Sequence, residues 1–166
     1  MIGSASPHAI EVQVDEPFQG QFQPDLLRQA ALAVLVHQRI EGAYELAVVV
    51  TDDDVLHRLN KQHRGTDRPT DVLAFAEAFD DGSAGLFVSA PDVPRYLGDV
   101  IISYPRAVAQ ASQAGHSVPA ELQLLVVHGI LHLLGYDDED EGRRAQMWQA
   151  QAAILRTLQI EVNPPL

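Results

Sequence analysis

An apolar run from Leu124 to Leu134 carries two histidines, His128 and His132, and is followed at once by Gly-Tyr-Asp-Asp. No other stretch narrows the fold of this chain as much. A segment this apolar must be buried, and in a helix positions i and i+4 lie one turn apart on one face, so both imidazoles aim at the same spot. Gly135 is a helix stop, after which the chain can fold back and bring Asp137 or Asp138 to that spot. Buried imidazoles are costly unless their nitrogens find partners. Two arrangements meet that cost. In one, both are core histidines bonded to backbone carbonyls or water. In the other, they share a divalent cation, since neutral imidazole donates a lone pair and burial disfavours the competing protonated form. Two histidines and one carboxylate, with room for a water, make the ligand set of a hydrolytic metal site. Where a zinc-peptidase helix carries its glutamate base, next to the first histidine, this chain has Gly129. The glycine is expected to let substrate or another backbone approach closely, and either any general base comes from elsewhere or a metal-bound water does most of the work through its lowered pKa.

Composition sharpens the choice. The chain has no cysteine, so disulfides and thiolate metal sites are excluded and a metal must rely on histidines and carboxylates. Its 166 residues suffice for a sizeable core without staples, and one domain spanning residues 1–166 is expected, with residues 1–8 as a disordered leader. No apolar run reaches the roughly 18 residues of a membrane span, and the N-terminus lacks a basic region followed by an apolar stretch. A cytoplasmic enzyme without membrane contact is the expectation. A formal net charge of −12 argues against broad electrostatic capture of nucleic acid, DNA included. Yet Arg58, Lys61, Arg64 and Arg68 fall in one short window with His57 and His63. That window is either a solvated helix face and loop or a local anion-binding patch on an acidic body.

Periodicity gives the elements. Ile10 to Val14 alternate as a half-buried strand, and Leu27, Ala30, Ala31, Val34 and Leu35 place a helix over residues 25–40. Residues 43–50 read as a buried strand. Thr51 or Asp52 can cap a helix running to about His63. Strands are expected over residues 70–76 and 97–103, the second after a loop rich in Gly, Pro and Asp. Helices then follow at residues 105–114, 119–134 and 140–158, with Ser117 in the cap region of the middle one. Strands come early and helices late. The fold class is therefore α+β: one mixed sheet of about four strands packed with about five helices, the metal site lying on a helix of the C-terminal half and the turn after it.

The segment from His128 resembles the signature of the YbeY family of metal-dependent endoribonucleases, His-Gly-x-Leu-His-Leu-x-Gly-Tyr-Asp-His, at every defined position but the last. Other stretches agree with that family in unbroken order from about residue 43 to 158: Leu59-Asn60, Arg64-Gly65, Pro69 to Leu73 with Phe75, and Leu97 to Val100. His116-Ser117, Glu121, Met147 and Ile154-Leu155 fit as well. The resemblance implies one zinc ion per chain and a single-strand-specific endoribonuclease that matures ribosomal RNA, including the small-subunit 3′ end, and polices ribosome quality. On it His128 and His132 are ligands, and Arg64 holds a phosphate or stabilises charge developing on it. Lys61 and Arg68 would extend the substrate contact, while Thr70 and Asp71 either shape the strand facing the cleft or merely start it.

The departure falls on Asp138, where the family has its third histidine. Aspartate binds zinc at a similar bond length, so Asp138 is expected as the third ligand in preference to Asp137, which matches the family's own non-ligand Asp. Its negative charge favours harder ions, so another divalent metal is admissible. The acidic body implies that a ribosomal or assembly-factor protein helps deliver the ribosomal RNA precursor. Two other readings remain at this point: an assembly factor whose metal site is too weak for catalysis, and a metal hydrolase of another class, against which Gly129 counts.

Overall fold

A computed structural model of the chain describes residues 7–65, 70–77 and 94–161, with the backbone alone at Arg64. Among these residues four strands form one mixed sheet: β1 (Ala9–Val14), β2 (Tyr44–Thr51), β3 (Val72–Ala76) and β4 (Arg95–Ser103), in the order β1-β2-β4-β3. β1 and β4 run parallel to β2, and β3 returns antiparallel to β4. β2 and β4 hold the two central positions, and β2 accordingly reads as a near-continuous apolar run in which Leu46, Ala47, Val48 and Val50 are all buried. β1 lies at one edge and alternates instead, burying Ile10 while Glu11 and Gln13 point outward.

Among the described residues five α-helices accompany the sheet, as expected, besides a 3-10 turn at Glu16–Phe18: α1 (Pro24–His37), α2 (Asp53–Arg64), α3 (Tyr104–Ala114), α4 (Val118–Leu133) and α5 (Glu141–Thr157). α1 begins with Pro24 in its first turn and buries the five residues of the sequence pattern. It stops at His37, three residues short of the expected end. Arg39 turns left-handed at φ 53°, and the Ile40 N–H then reaches the Leu35 carbonyl at 3.1 Å, closing the last turn. Asp52 caps α2 through the Val55 N–H at 2.9 Å, and Ser117 caps α4 through the Ala120 N–H at 3.2 Å. Asp140 does the same for α5 through Arg143 at 2.8 Å.

The core lies on one face of the sheet. Leu46, Val48, Val50, Val100 and Ile102 meet the buried sides of α1, α4 and α5 in a single cluster that includes Val126, Ile130, Met147 and Ile154. Val72 joins that cluster and Ala74 packs on it, whereas Leu73 is buried outside it, because successive strand residues point to opposite faces. α2 packs against β3, β4 and α3, and its Leu56 is likewise buried outside the main cluster. The two faces are tied together by Asp53, whose carboxylate accepts from Arg106 Nε at 3.0 Å, Arg106 Nη2 at 3.2 Å and Ser103 Oγ at 3.1 Å.

The junction of α3 and α4 is closed by a buried pair, His116 Nε2 donating to Glu121 Oε1 at 2.5 Å. Burial pushes the Glu121 carboxyl above its usual range, and the His116 bond only partly offsets this. His116 Nδ1 is buried without a hydrogen-bond partner among the described residues. With the proton on Nε2 that atom is a bare lone pair, which is cheaper to bury than an orphaned N–H. His8, the last residue of the expected leader, accepts the Tyr44 N–H on Nδ1 at 3.1 Å. Among the described residues no helix is long and apolar enough to cross a membrane.

Candidate metal centre and cleft

α4 antiparallels β4 because Gly129 and Leu133 descend past Val100 and Gly98 in turn. Both approaches depend on glycine. A Cβ at Gly129 would stand 2.6 Å from Val100 Cγ1, and one at Gly98 would stand 2.4 Å from the Phe75 carbonyl and 2.9 Å from Leu133 Cδ2. Gly98 also has φ +148°, outside the range side chains tolerate, at the point where β4 bulges against β2. The sequence led us to expect substrate or another backbone against Gly129. A side chain of the sheet takes the space a Cβ would need, so a peptidase-type glutamate could not be accommodated there, while Gly129 itself still lines the cleft.

With α4 seated in this way, His128 and His132 face the same side. Their rings meet edge-on, with centroids 4.7 Å apart and the two Nε2 atoms separated by 3.1 Å. The chain leaves α4 in a closed turn: Gly135 N–H donates to His132 O and Tyr136 N–H to Leu131 O, each at 3.0 Å. Tyr136 OH anchors the turn on Gln38, the residue that follows α1, at 3.0 Å. Asp138 comes back to the histidines, so that one ligand atom from each of His128, His132 and Asp138 lies within 4.8 Å of the others. Its neighbour does not. Asp137 Oδ1 accepts the Glu139 N–H at 3.0 Å and Oδ2 accepts from Arg143 Nη1 at 2.9 Å. The Glu139 N–H, and after it Arg143, holds the Asp137 carboxyl below the usual carboxylate range. Asp137 builds the turn, and Asp138 is left to face the cleft, its backbone carbonyl accepting from Arg144 at 3.2 Å.

These donors suit a divalent ion. Gln151, buried on α5, presents Oε1 to His128 Nδ1 at 3.0 Å. An amide oxygen only accepts, so the His128 proton sits on Nδ1 and Nε2 is a lone pair directed at His132. Two lone pairs cannot face each other at 3.1 Å unless a proton or a cation lies between them. Tetrahedral zinc with bonds of about 2.0–2.1 Å would hold two nitrogens about 3.3 Å apart, close to the spacing seen. Gln151 was not singled out in the sequence. Its signal was there: a glutamine in the apolar stripe with Met147, Ile154 and Leu155 of the last helix.

The histidines open into a cleft of about 350 Å³ between α4 and the start of β3, lined by Thr70, Asp71, Val72, Ala74 and Gly129 besides the three clustered residues. Its charged side chains, among the described lining residues, are Asp71 and Asp138. Such a cleft repels a phosphodiester until a cation is added. Of the basic window, Lys61 is exposed on α2 and is not among the described cleft residues. Arg64 is the last residue of α2, with its side chain outside the described residues, and Arg68 lies outside them altogether. His63 stacks edge-on with Phe75 at 5.1 Å, which joins the end of α2 to β3.

Comparison with known proteins agrees with this architecture. The family model described as endoribonuclease YbeY matches residues 10–159. A protein named Endoribonuclease YbeY from Roseiflexus sp. (strain RS-1) is 47% identical over 156 residues, covering 93% of this chain and 96% of its own. One of the same name from Chloroflexus aurantiacus is 48% identical over 155 residues, covering 93% of each chain. The solution structure of a Thermotoga maritima protein shares the fold, with a TM-score of 0.53 at 24% identity, over 90% of this chain and 91% of that one.

Proposed function

Since the chain belongs to the endoribonuclease YbeY family, we propose that it is a metal-dependent, single-strand-specific endoribonuclease that hydrolyses phosphodiesters in ribosomal RNA precursors in the cytoplasm. The observation that carries the reading is the pair of Nε2 atoms 3.1 Å apart, one of them a lone pair fixed by Gln151, with Asp138 beside them in an open cleft. His128, His132 and Asp138 would hold the ion, one per chain. Zinc fits the ligand types and the spacing, and the carboxylate in place of a third imidazole also admits manganese. When bound, the ion supplies positive charge against the phosphate and lowers the pKa of water.

The protein's own groups do the rest. Gln151 keeps His128 in one tautomer, and the closed turn at Gly135 holds Asp138 close. Arg64 binds a phosphate oxygen of the substrate and stabilises the charge that develops there, while Lys61 and Arg68 engage neighbouring phosphates. The chain's net charge of −12 disfavours free RNA in spite of that patch, so a ribosomal or assembly-factor protein delivers the substrate.

The test is cleavage of a single-stranded RNA by purified, metal-loaded protein. Cleavage is expected to be lost in both Arg64→Ala and His128→Ala while the far-ultraviolet spectrum is kept. Undiminished cutting by both variants would refute the proposal and point to a contaminating nuclease.

A further inference from the structure

Hydrolysis of a phosphodiester is speeded by a group that takes the proton of the attacking water, and the position where a zinc peptidase carries one is occupied here by Gly129, packed on Val100. In the cleft both nitrogens of His128 are engaged, Nδ1 by Gln151 and Nε2 by His132. Asp138 belongs to the ligand cluster. Asp71 differs from all of these. It lines the same cleft from the start of β3, across from α4, and does not join the cluster.

Its placement is built. The Asp71 backbone carbonyl accepts the Ser103 N–H at 2.9 Å, and Gln110 Nε2 of α3 donates to Oδ2 at 3.2 Å. The other oxygen, Oδ1, meets the Thr70 hydroxyl at 3.5 Å among the described residues, too long for a strong bond, so it keeps capacity to accept. A second carboxylate also weakens the binding of a polyanion to a cleft that already holds Asp138, a cost that a purely structural strand start would avoid.

We propose that Asp71 is the proton acceptor of the hydrolysis, its Oδ1 receiving the proton of the water that attacks phosphorus. This rests on the endoribonuclease reading. In the step, an O–H bond of water breaks, its proton passes to Asp71 and the oxygen bonds to phosphorus. The bond from phosphorus to the leaving ribose oxygen breaks, that oxygen takes a proton from solvent, and Asp71 returns its own proton to solvent. One water is consumed and nothing is oxidised or reduced.

The experiment compares wild type, Asp71→Asn and Asp71→Glu on a single-stranded RNA oligonucleotide, with metal content and melting temperature measured on the same samples. Asp71→Asn preserves shape and the acceptor for Gln110, so metal stoichiometry, melting and KM are expected to stay at wild-type values while kcat falls by about a hundredfold or more. Asp71→Glu restores a carboxylate and is expected to cut at least about tenfold faster than Asp71→Asn, the reverse of what a structural role favours. Cleavage of wild type in heavy-oxygen water is expected to label the phosphate end of the product. The inference is overturned if Asp71→Asn keeps kcat within about threefold of wild type, if it loses the metal, or if the product ends in a 2′,3′-cyclic phosphate. Absence of metal-dependent cutting by wild type itself would instead overturn the underlying reading.

Discussion

Replacing Gly129 by alanine sets two opposing effects against each other, and the structure says which wins. In the interior of a helix the change should stabilise by about 1 kcal/mol through propensity alone. The new Cβ, however, would stand 2.6 Å from Val100 Cγ1, 3.1 Å from Cγ2 and 3.4 Å from Cβ. Carbon atoms pack at about 3.5–4.0 Å, so the first contact is about 1 Å too short. Val100 cannot yield. It is fully buried, β-branched, and paired on both sides, with Val48 and Ala74. Rotating it away from one methyl contact leads into the other. Overpacking of this kind costs about 1–3 kcal/mol, and a stiff partner on an interior strand places it at the upper end. The net effect is a loss of about 2 kcal/mol, which for a chain of this size lowers Tm by about 4–8 °C.

Urea unfolding followed by circular dichroism, with an unchanged m value, measures this directly. Val100→Ala opens the space and removes the overpacking cost while the helix-propensity gain remains, so the double variant should be about 3 kcal/mol more stable than the sum of the two single changes. A more stable Gly129→Ala protein, or strict additivity, would refute the packing argument. The same shift of α4 by about 1 Å displaces His128 from Gln151, so metal affinity should fall with stability in the single variant and recover in the double.

Four further outcomes follow from the geometry. Gln151→Leu keeps a buried residue on α5 but frees the tautomer of His128, so metal affinity measured by chelator competition should fall about 10- to 100-fold, and an unchanged affinity would remove Gln151 from the site. Asp138→Ala should lose metal on dialysis whereas Asp137→Ala, which loses only its turn contacts with Arg143 and Glu139, should stay loaded; the opposite result would exchange their roles. The hydrogen bond from Arg106, ahead of that from Ser103, holds the Asp53 carboxyl below its ordinary value. Because that folded-state value is depressed, the stabilisation is present above the unfolded pKa of about 3.9 and is lost as pH falls through the folded value. The pair is about one-third exposed, so Arg106→Met should cost at most about 1 kcal/mol at neutral pH and nothing once Asp53 is protonated, which acid titration of stability would test. Lys61→Ala should raise KM for RNA and reduce the salt dependence of binding by about 0.7 in log–log slope if it meets a phosphate, and leave the slope alone if it is only a solvated face.

The elements were legible because each is signalled locally. Leu27 to Leu35 repeat at helical spacing, Asp52 and Ser117 are capping residues next to helix formers, and the run through β2 is too apolar for anything but an interior strand. The end of α1 was missed by three residues because an arginine, not a glycine, takes the left-handed turn. The pairing of His128 with His132 and the choice of an acidic turn after them follow from helix geometry within one segment. What escaped the sequence is long-range. Gln151 lies 23 positions from His128, and Gln110 lies 39 from Asp71. No periodicity links residues that meet only because helices cross.

By itself, then, the sequence determined an α+β chain with two imidazoles facing one point and a carboxylate close behind, because spacing of four residues on a helix and a glycine stop leave little choice. The tertiary structure decided which carboxylate faces that point, by engaging Asp137 with Arg143. It decided that Gly129 serves the packing of α4 on Val100, and that Asp71 stands across the cleft from the histidines. Those are decisions of packing, since the position of a side chain relative to another element is fixed by how closely the two surfaces approach, and that distance is set by every residue between them.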